Sequence, residues 1–434
     1  MADKVESYVS HADAVQAYSK ELQEPDWMLQ LRLEALDKID DLQEPRIERL
    51  RYNRWPLWQL PNLEAGDQAS DIDYTKYVPE LHTDNIVVQA GNQSVVEELP
   101  QSLKDKGVVF TDIKTALRDY PDLVKEAYMT TALQPDKNKI TAFHAAFMNS
   151  GLFLYVPKNV VIEDPLEAIF IQDALVQDSY IKHVLVYAGP NSQFDYVERW
   201  LTAGEEKTSA NIIVEVIAQA NAKIRFSSVD LLGQNTTAYF NRIGHVGRDA
   251  NIDWAIGAMN NGNVIVDLDT DLVGDGSETD LKAVGISWGK QTQVIDSNVV
   301  NFGSNSNGNI FQHGVILDRA TLTFNGIGQI HRNAKDANAQ QESRVLMLSE
   351  KARGDANPIL LIDEFEVEAG HAASIGRVDP NELYYLMSRG IPKAEAERLV
   401  IRGFLGAVIS AIPSKVVREE LINTIERKLL SRWA

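Results

Sequence analysis

Three sequence runs decide the fold: AKIRFSSV (residues 222–229), ANIDWAIGA (residues 250–258) and TDLKAVGIS (residues 279–287). Each run mixes alternating apolar and polar residues and is followed within two residues by Asp, Asn or Gly, which is typical of a short strand that ends in a turn. The runs start at Ala222, Ala250 and Thr279, 28 and 29 residues apart, as the stacked coils of a solenoid would. The pattern therefore favours a mainly β protein built as a β-solenoid, although a sandwich or a barrel also consists of many short strands.

Helix signals mark both ends of the chain. Near the N-terminus, Glu24-Pro25-Asp26 is typical of a helix start, and the apolar residues that follow recur at helical spacing. Near the C-terminus, Asp379 and Pro380 suit the N-cap and first position of a helix, and Gly390 suits the residue after its end. We therefore expect three domains: a mostly helical N-terminal domain (1–150), a β-solenoid core (151–378) and a C-terminal helical domain (379–434).

Composition and charge exclude several classes of function. The 434 residues include 42 basic and 62 acidic side chains, a net charge of −20, which argues against a surface that binds nucleic acid. No cysteine is present, so disulfides are impossible. The first residues, MADKVESYVSHADAV, contain no apolar signal core, and no apolar run approaches the roughly 20 residues that span a bilayer. We expect a cytoplasmic protein without a nucleic-acid or membrane partner.

Motifs for the commonest enzyme chemistries are missing from the sequence. It contains no phosphate-binding G-x-x-x-x-G-K-[ST] loop, no G-x-S-x-G nucleophile elbow and no H-E-x-x-H zinc motif. None of the eight histidines has a second histidine three to five residues away, the spacing of a metal site on one element. Nucleotide hydrolysis, serine hydrolase chemistry and zinc protease chemistry are therefore not expected.

An acidic stretch, DLDTDLVGDGSETD, begins at Asp267 and suggests two further kinds of site. Its first three aspartates and Glu278 match ligand positions 1, 3, 5 and 12 of an EF-hand calcium loop, but Leu272 stands where that loop needs glycine. In a strand, Asp267, Asp269 and Asp271 would share one face, because side chains alternate with a period of two. Paired carboxylates on a β-helix can hydrolyse glycosidic bonds. The alternative function is therefore a polysaccharide-active β-helix enzyme that uses these clustered aspartates, and a solvated turn region is the simpler interpretation.

A lone histidine, His371, lies in EAGHAASIGRVD, between the last strand pattern and the C-terminal helices. Its neighbours Gly370, Ala372 and Ala373 are too small to shield it. We expect it in a loop just before a helix start, where its imidazole could reach a partner subunit. A neutral imidazole is a good ligand for iron. The simpler interpretation is a structural histidine bonded to a backbone carbonyl.

Three stretches together resemble the SufB/SufD family, the scaffold proteins of iron–sulfur cluster assembly: NPILLIDEFEVEAGHAASIGRVDPNELYYLMSRG (residues 357–390), WMLQLRLEAL (27–36) and GLFLYVPKNV (151–160). The resemblance implies a right-handed parallel β-helix flanked by N-terminal and C-terminal helical domains. His371 matches the histidine of the SufD pattern, while Ala369 replaces a cysteine found in some members. The chain thus looks most like the SufD branch.

Two positions separate the chain from the SufB branch of the family. The cluster-building cysteine of SufB falls on Leu386, and its catalytic glutamate falls on Ala407. The resemblance therefore implies a non-catalytic subunit of a SufBCD scaffold complex, which supports iron acquisition and cluster assembly. Clusters are held mostly by thiolates, and this chain supplies none. We expect it to bind no cofactor stably alone, and to share iron or a nascent cluster with a SufB-like subunit through His371.

The resemblance also implies partners and their contacts. A SufB-like subunit would pair with the β-helix, and a SufC-like ABC ATPase would bind the helical tail; a homodimer is the alternative pairing of the isolated chain. Leu399, Phe404 and Leu405 are candidate contacts with the ATPase, and a buried core role is the alternative for each.

Three glutamates precede His371 at a spacing of two residues. We expect them to share one strand face, as solvated carboxylates or as a path that collects iron. They are Glu364, Glu366 and Glu368.

Overall fold

The computed structural model describes residues 7–63, 70–78, 80–81, 83–410 and 415–430. The described chain contains more β-strand than helix. Its strands are β1 (Ile86–Ala90), β2 (Gln93–Glu98), β3 (Val109–Asp112), β4 (Ser150–Val156), β5 (Leu166–Ala174), β6 (Ser179–Ala188), β7 (Gln193–Gly204), β8 (Thr208–Ala218), β9 (Lys223–Asp230), β10 (Thr236–Val246), β11 (Asn251–Ala258), β12 (Val264–Leu272), β13 (Glu278–Ser287), β14 (Thr292–Asn301), β15 (Asn307–Ile316), β16 (Thr321–Ile330), β17 (Asn338–Met347), β18 (Arg353–Ile362) and β19 (Glu368–Arg377).

Strands β4 to β19 wind into a parallel β-solenoid of about eight turns. Even-numbered strands form one sheet and odd-numbered strands the other, so each strand pairs with the strand two places along the chain. One turn takes from 26 residues, between Ala238 and its partner Val264, to 32 residues, between Ser150 and Lys182. The prediction of a mainly β solenoid with helices at both ends is confirmed. Asn251 of β11 pairs with Glu278 of β13, so the strand that was expected to start at Thr279 starts one residue earlier, at the polar residue Glu278.

The space between the two sheets is filled by the inward-facing side chain of every second residue. Phe170 and Trp200, on consecutive coils of one sheet, stack with ring centroids 4.1 Å apart, and Phe240 of the facing sheet meets Trp200 edge to face at 5.6 Å. Such contacts stabilise a core beyond the area they bury. Stacking of like side chains along the solenoid axis therefore reinforces the backbone register.

An asparagine ladder fixes one corner of the first coils. Asn159, Asn191 and Asn221 have φ angles of 63°, 59° and 57°, a left-handed conformation that asparagine tolerates better than most residues. The amide of Asn191 donates to the Asn159 side chain, and that of Asn221 donates to Asn191, both at 2.9 Å. The corner thus repeats in register with the strands.

The N-terminal region covers one face and closes one end of the solenoid. Strand β1 pairs in parallel with β5 and antiparallel with β2, and β3 pairs antiparallel with β4, so these strands complete the first end of both sheets. The helices pack on the outer face of the even-numbered sheet through a shared apolar cluster. They are α1 (Ala12–Glu21), α2 (Asp26–Lys38), α4 (Ile113–Asp119), α5 (Pro121–Ala127) and α6 (Lys139–Phe147), whereas the short helix α3 (Gln101–Lys104) places Leu103 in the core between the sheets.

The C-terminal helices lie along the side of the solenoid. They are α7 (Pro380–Ser388), α8 (Lys393–Ile409) and α9 (Lys415–Leu430). Ile401 and Leu405 of α8 and Leu421 of α9 are buried against the outer face of the odd-numbered sheet. Helix α7, described in full, has no buried residue. No helix in the described part of the chain is long and apolar enough to cross a membrane. The last coil, β18 and β19, is left without a covering element among the described residues.

A buried polar network joins the N-terminal helices to the solenoid. His144 of α6 contacts His183 of β6 at 3.1 Å, and His183 Nε2 lies 3.2 Å from Glu215 Oε1 of β8. Glu215 also accepts a hydrogen bond from the Met129 amide at 2.7 Å. Burial raises the pKa of Glu215 to about 8 and lowers the pKa of His183 to about 3. The network is therefore largely uncharged near neutral pH.

Replacing Glu215 with Gln should flatten the pH dependence of stability. Because the pKa of Glu215 in the folded protein (about 8) exceeds its ordinary value of 4.5, the folded state keeps a proton that the unfolded chain has lost, and the free energy of unfolding falls as the pH rises between those values. The measurement is the thermal unfolding midpoint between about pH 6.5, where histidines are already mostly neutral, and about pH 8. Over this range the midpoint should fall more steeply in the wild-type protein than in Glu215→Gln.

The matched control is Glu126→Gln, which changes an exposed glutamate of α5 that accepts a hydrogen bond from Tyr187. It should leave the slope of the unfolding midpoint against pH unchanged. Equal slopes in the wild-type protein and in Glu215→Gln would contradict the raised pKa of Glu215 in the folded protein.

Candidate functional site

His371 lies inside a strand, and the prediction of a loop was wrong. Strand β19 pairs with β17 along its whole length, from Glu368 opposite Asn338 to Arg377 opposite Met347. The residues around His371 are Gly, Ala and Ser, which hide the alternation of a strand, but their small size does not prevent backbone pairing. The helix that follows begins further along the chain: Asp379, eight residues after His371, caps the N-terminus of α7.

The imidazole faces the mouth of the solenoid. His371 pairs in register with Gln341 of β17, and Gln341 is an inward-facing residue with 5% of its surface exposed. Neighbours in register on parallel strands point to the same side of the sheet. His371 therefore occupies an inward-facing position, but it is exposed because no described strand follows β19 in the sheet. The Gln341 amide beneath it donates to the Ile359 carbonyl of β18 at 2.9 Å.

The last coil, residues 353–377, is named here the terminal coil. None of its residues, all of them described, is buried. Its two strands are the last of both sheets, so one edge of each presents unpaired backbone N–H and C=O groups. Large apolar side chains are exposed around this edge, among them Phe365, with 99% of its surface accessible, and Ile375. An exposed edge with an apolar rim is suited to pairing with strands of another chain.

Phe365 was missed by sequence reasoning, although a signal was present. It stands alone among Glu364, Glu366 and Glu368, in a turn, where an aromatic residue has no core to join. The three glutamates do not share a strand face as predicted, because β18 ends at Ile362 and only Glu368 belongs to β19.

The glutamates of that turn have local partners. Glu364 accepts hydrogen bonds from the amides of Phe365 and Asn333 at 2.9 and 2.8 Å, and these bonds, that from Phe365 first, lower the pKa of Glu364. Glu366 lies 3.3 Å from the Lys335 ammonium group. These contacts favour the interpretation of turn-forming, solvated carboxylates over a shared iron path.

The clustered aspartates lie on one strand face, as predicted, but beneath the N-terminal region. Tyr239 donates to Asp267 at 2.6 Å, and Lys137 lies 3.0 Å from Asp269. Asp296 is the register partner of Asp267, and burial, followed by repulsion from Asp269, raises the pKa of Asp296 to about 7. The EF-hand interpretation is wrong, because residues 267–272 are extended in β12. No group of three His, Cys, Asp or Glu side chains suited to a metal ion occurs in the part of the chain that the structure describes.

The three predicted partner contacts differ in exposure. Leu399 of α8 is 43% exposed, Phe404 is half-buried, and Leu405 is fully buried against the solenoid. Phe404 lines a groove of about 820 Å³ between α7, α8 and the end of β19. Leu405 is therefore a core residue, whereas Leu399 and Phe404 remain accessible to a partner.

Family comparisons agree with this architecture. Residues 6–168 match the SufBD protein N-terminal region, and residues 170–404 match the SufBD core domain of SUF system FeS cluster assembly. The iron-sulfur cluster assembly protein SufD of Bacillus subtilis is 45% identical over 424 residues, which cover 96% of this chain and 97% of that protein. SufBD family proteins of Staphylococcus saprophyticus and Staphylococcus haemolyticus are each 24% identical, covering 93% of this chain and 90% of theirs.

By fold, this is a β-solenoid protein whose last coil is open to further strands. The chain belongs to the SufB/SufD family of SUF-system iron–sulfur cluster assembly proteins, and it is most like SufD. The polysaccharide-active alternative is not favoured, because neither family model nor the named relatives point to a glycosidase.

Leu405→Ala should destabilise the protein strongly, whereas Leu399→Ala should not. Removing a fully buried leucine side chain typically costs about 2–5 kcal/mol, and a surface substitution usually stays within about 0.5 kcal/mol. Urea unfolding followed by tryptophan fluorescence, to which Trp288 beside Lys428 of α9 contributes, measures both variants. Similar midpoints for the two variants would show that Leu405 is not a core residue.

Proposed function

We propose that this chain is the SufD-like, non-catalytic subunit of a SufBCD-type scaffold complex, and that it works in the cytoplasm. The terminal coil carries the proposal, because it combines two unpaired strand edges with exposed apolar side chains such as Phe365 and Ile375. In an isolated chain such an edge can pair nonspecifically with other chains, whereas in a complex it can pair with the strands of a partner sheet. The SufB-like subunit would pair its own last strands with β18 and β19.

Iron or a nascent cluster is the cargo in this proposal. His371 occupies the mouth of the solenoid at the edge where the SufB-like subunit would pair, so pairing would enclose the imidazole between two chains. A cluster needs about four ligands, mostly thiolates, and this chain contains no cysteine. The SufB-like subunit would therefore supply most of the ligands, and His371 would supply one.

The C-terminal helices are the proposed docking site for a SufC-like ABC ATPase. A groove of about 460 Å³ between α8 and α9 has an apolar floor that includes Ile409 and Ile422, and a basic rim that includes Arg402 and Arg418. Leu399 and Phe404 are accessible on the same helix α8. An apolar floor with a charged rim suits a protein partner that presents apolar and acidic side chains.

A homodimer is the second candidate pairing of the terminal coil. A second copy of the chain would present the same edge, and a two-fold axis would place each β19 against its equivalent. The exposed edge favours this state when the chain is purified without its partners.

Phe365→Glu should weaken pairing with the SufB-like subunit. Phe365 is 99% exposed in the turn between β18 and β19, so the change leaves the fold intact but places a charge where the proposal puts an interface. Central aromatic residues of interfaces typically contribute about 2–4 kcal/mol, so the dissociation constant should rise at least about 30-fold. Analytical ultracentrifugation of the co-expressed subunits measures it.

Leu175→Glu is the matched control for Phe365→Glu. Leu175 is also an exposed apolar residue, but it lies in the connection between β5 and β6 at the opposite part of the solenoid. Its replacement should leave the dissociation constant unchanged. Pairing that survives Phe365→Glu would remove the terminal coil from the interface.

His371→Ala should reduce the iron content of the assembled complex and leave the assembly itself unchanged. Loss of a contact that supports a metal ligand typically lowers metal affinity about 10- to 100-fold. Loss of the ligand itself should lower metal retention by at least as much. Iron and sulfide analysis of the purified complex measures the change, with Ser374→Ala on the same strand as control. A full complement of cluster in His371→Ala would rule out the ligand role without affecting the proposed partnership.

A further inference from the structure

A second histidine joins helix α8 to the odd-numbered sheet. His313 lies on the outer face of β15 and is 5% exposed, between α8 and the neighbouring strand β17. Its Nδ1 is 3.2 Å from the Phe404 carbonyl of α8, and its Nε2 is 3.0 Å from Glu342 Oε1 of β17. The ring also stacks on the Phe404 ring, with centroids 5.2 Å apart and 26° between the planes. One side chain thus bridges two elements that are distant in sequence.

Both ring nitrogens of His313 face acceptors. A backbone carbonyl can only accept a hydrogen bond. Burial opposes the ionisation of Glu342, but hydrogen bonds from His313 and Arg344 outweigh it and hold the pKa of Glu342 below its ordinary value, so this carboxylate also accepts. A hydrogen on Nε2 makes the bond to Glu342, and a hydrogen on Nδ1 makes the bond to the Phe404 carbonyl. Because Glu342 is a carboxylate, its bond with His313 is charge-assisted, which is stronger and more directional than a neutral one.

The far end of the bridge reaches the strand beside His371. Glu342 and Arg344 of β17 are held together at 2.7 Å. Their register partners on β19 are Ala372 and Ser374, which follow His371. A hydrogen-bonded path thus runs from the Phe404 carbonyl of α8, through His313 and Glu342, to the strand pair that carries His371.

We infer that His313 is a positioning residue that couples helix α8 to the terminal coil. A partner that moves α8 would change the 3.2 Å distance between His313 Nδ1 and the Phe404 carbonyl. The hydrogen bonding of His313 would then change, and with it the position of Glu342 on β17. The inference deepens the proposed function, and it rests on that function in placing the ATPase at α8. The contacts of His313 themselves do not depend on it.

A single labelled cysteine tests the coupling. The chain has no cysteine of its own, so Ser374→Cys carries one environment-sensitive fluorophore on the outer face of β19, beside Arg344. In the complex with the SufC-like ATPase and the SufB-like subunit, addition of ATP should change the emission. His313→Leu should leave the ATPase bound and reduce this change about tenfold, within the range of ordinary couplings between sites.

Two further variants separate coupling from packing. Val315→Ala removes a fully buried neighbour of His313 on the same face of β15, where it packs in the cluster with α8, but leaves the bridge intact. It should preserve the emission change. His313→Asn keeps a donor near the position of Nδ1 for the Phe404 carbonyl, but its side chain is too short to reach Glu342. Helix α8 should therefore stay docked on the sheet, and the ATP-induced change in emission should be lost.

Each outcome decides a different question. An emission change that persists in both His313 variants, with the ATPase bound, overturns the inference and leaves the proposed function standing. If the wild-type chain binds no ATPase, the proposed docking of the ATPase on α8 is wrong. Hydrogen exchange of the isolated chain then tests whether His313 couples α8 to the terminal coil. Faster exchange of the β19 amides in His313→Asn, but not in Val315→Ala, would support it; equal exchange would overturn it.

Discussion

The backbone ladder between successive coils is the constraint on which the rest of the structure depends. Each strand pairs in parallel with the strand one turn earlier, so a side chain on one coil fixes the direction and neighbours of its partner on the next. The ladder stacks Trp200 on Phe170 in the core and aligns His371 above Gln341 at the mouth. It also leaves a problem that every solenoid must solve, because the first and last coils lack a neighbour.

The chain treats its two ends differently. At the first end, β2 and β3 pair antiparallel with their neighbours, and the N-terminal helices cover the adjoining face. Helices α8 and α9 cover a long side of the odd-numbered sheet and not its last strand. Within the described residues, the terminal coil is therefore the region where unpaired backbone groups, exposed apolar side chains and an accessible imidazole occur together. That combination, rather than any single residue, locates the candidate site.

Sequence predicted what is periodic or local and missed what depends on long-range packing. The spacing of the strand runs predicted the solenoid, and helix α7 begins and ends where Asp379 and Gly390 indicated, with Gly390 at a φ of 87°. Strand β19 was missed because glycine and alanine around His371 carry no alternation. The bridge at His313 joins residues 91 positions apart in the chain, and no local pattern marks such a pair.

The number of ligands that a cluster needs relates the open edge of the terminal coil to the proposed cargo. A single imidazole holds iron weakly, so a site that consists of His371 alone would neither collect nor keep a cluster. In the proposed complex, enclosure between two solenoid ends would add ligands and exclude water at the same moment, and separation of the ends would remove both. Reversible pairing therefore requires an interface of moderate strength, and a short edge with a few apolar side chains, Phe365 and Ile375 among them, meets that requirement better than a large buried core would. The arrangement that leaves the isolated chain with an exposed edge is thus the arrangement that would let an assembly protein release what it has assembled.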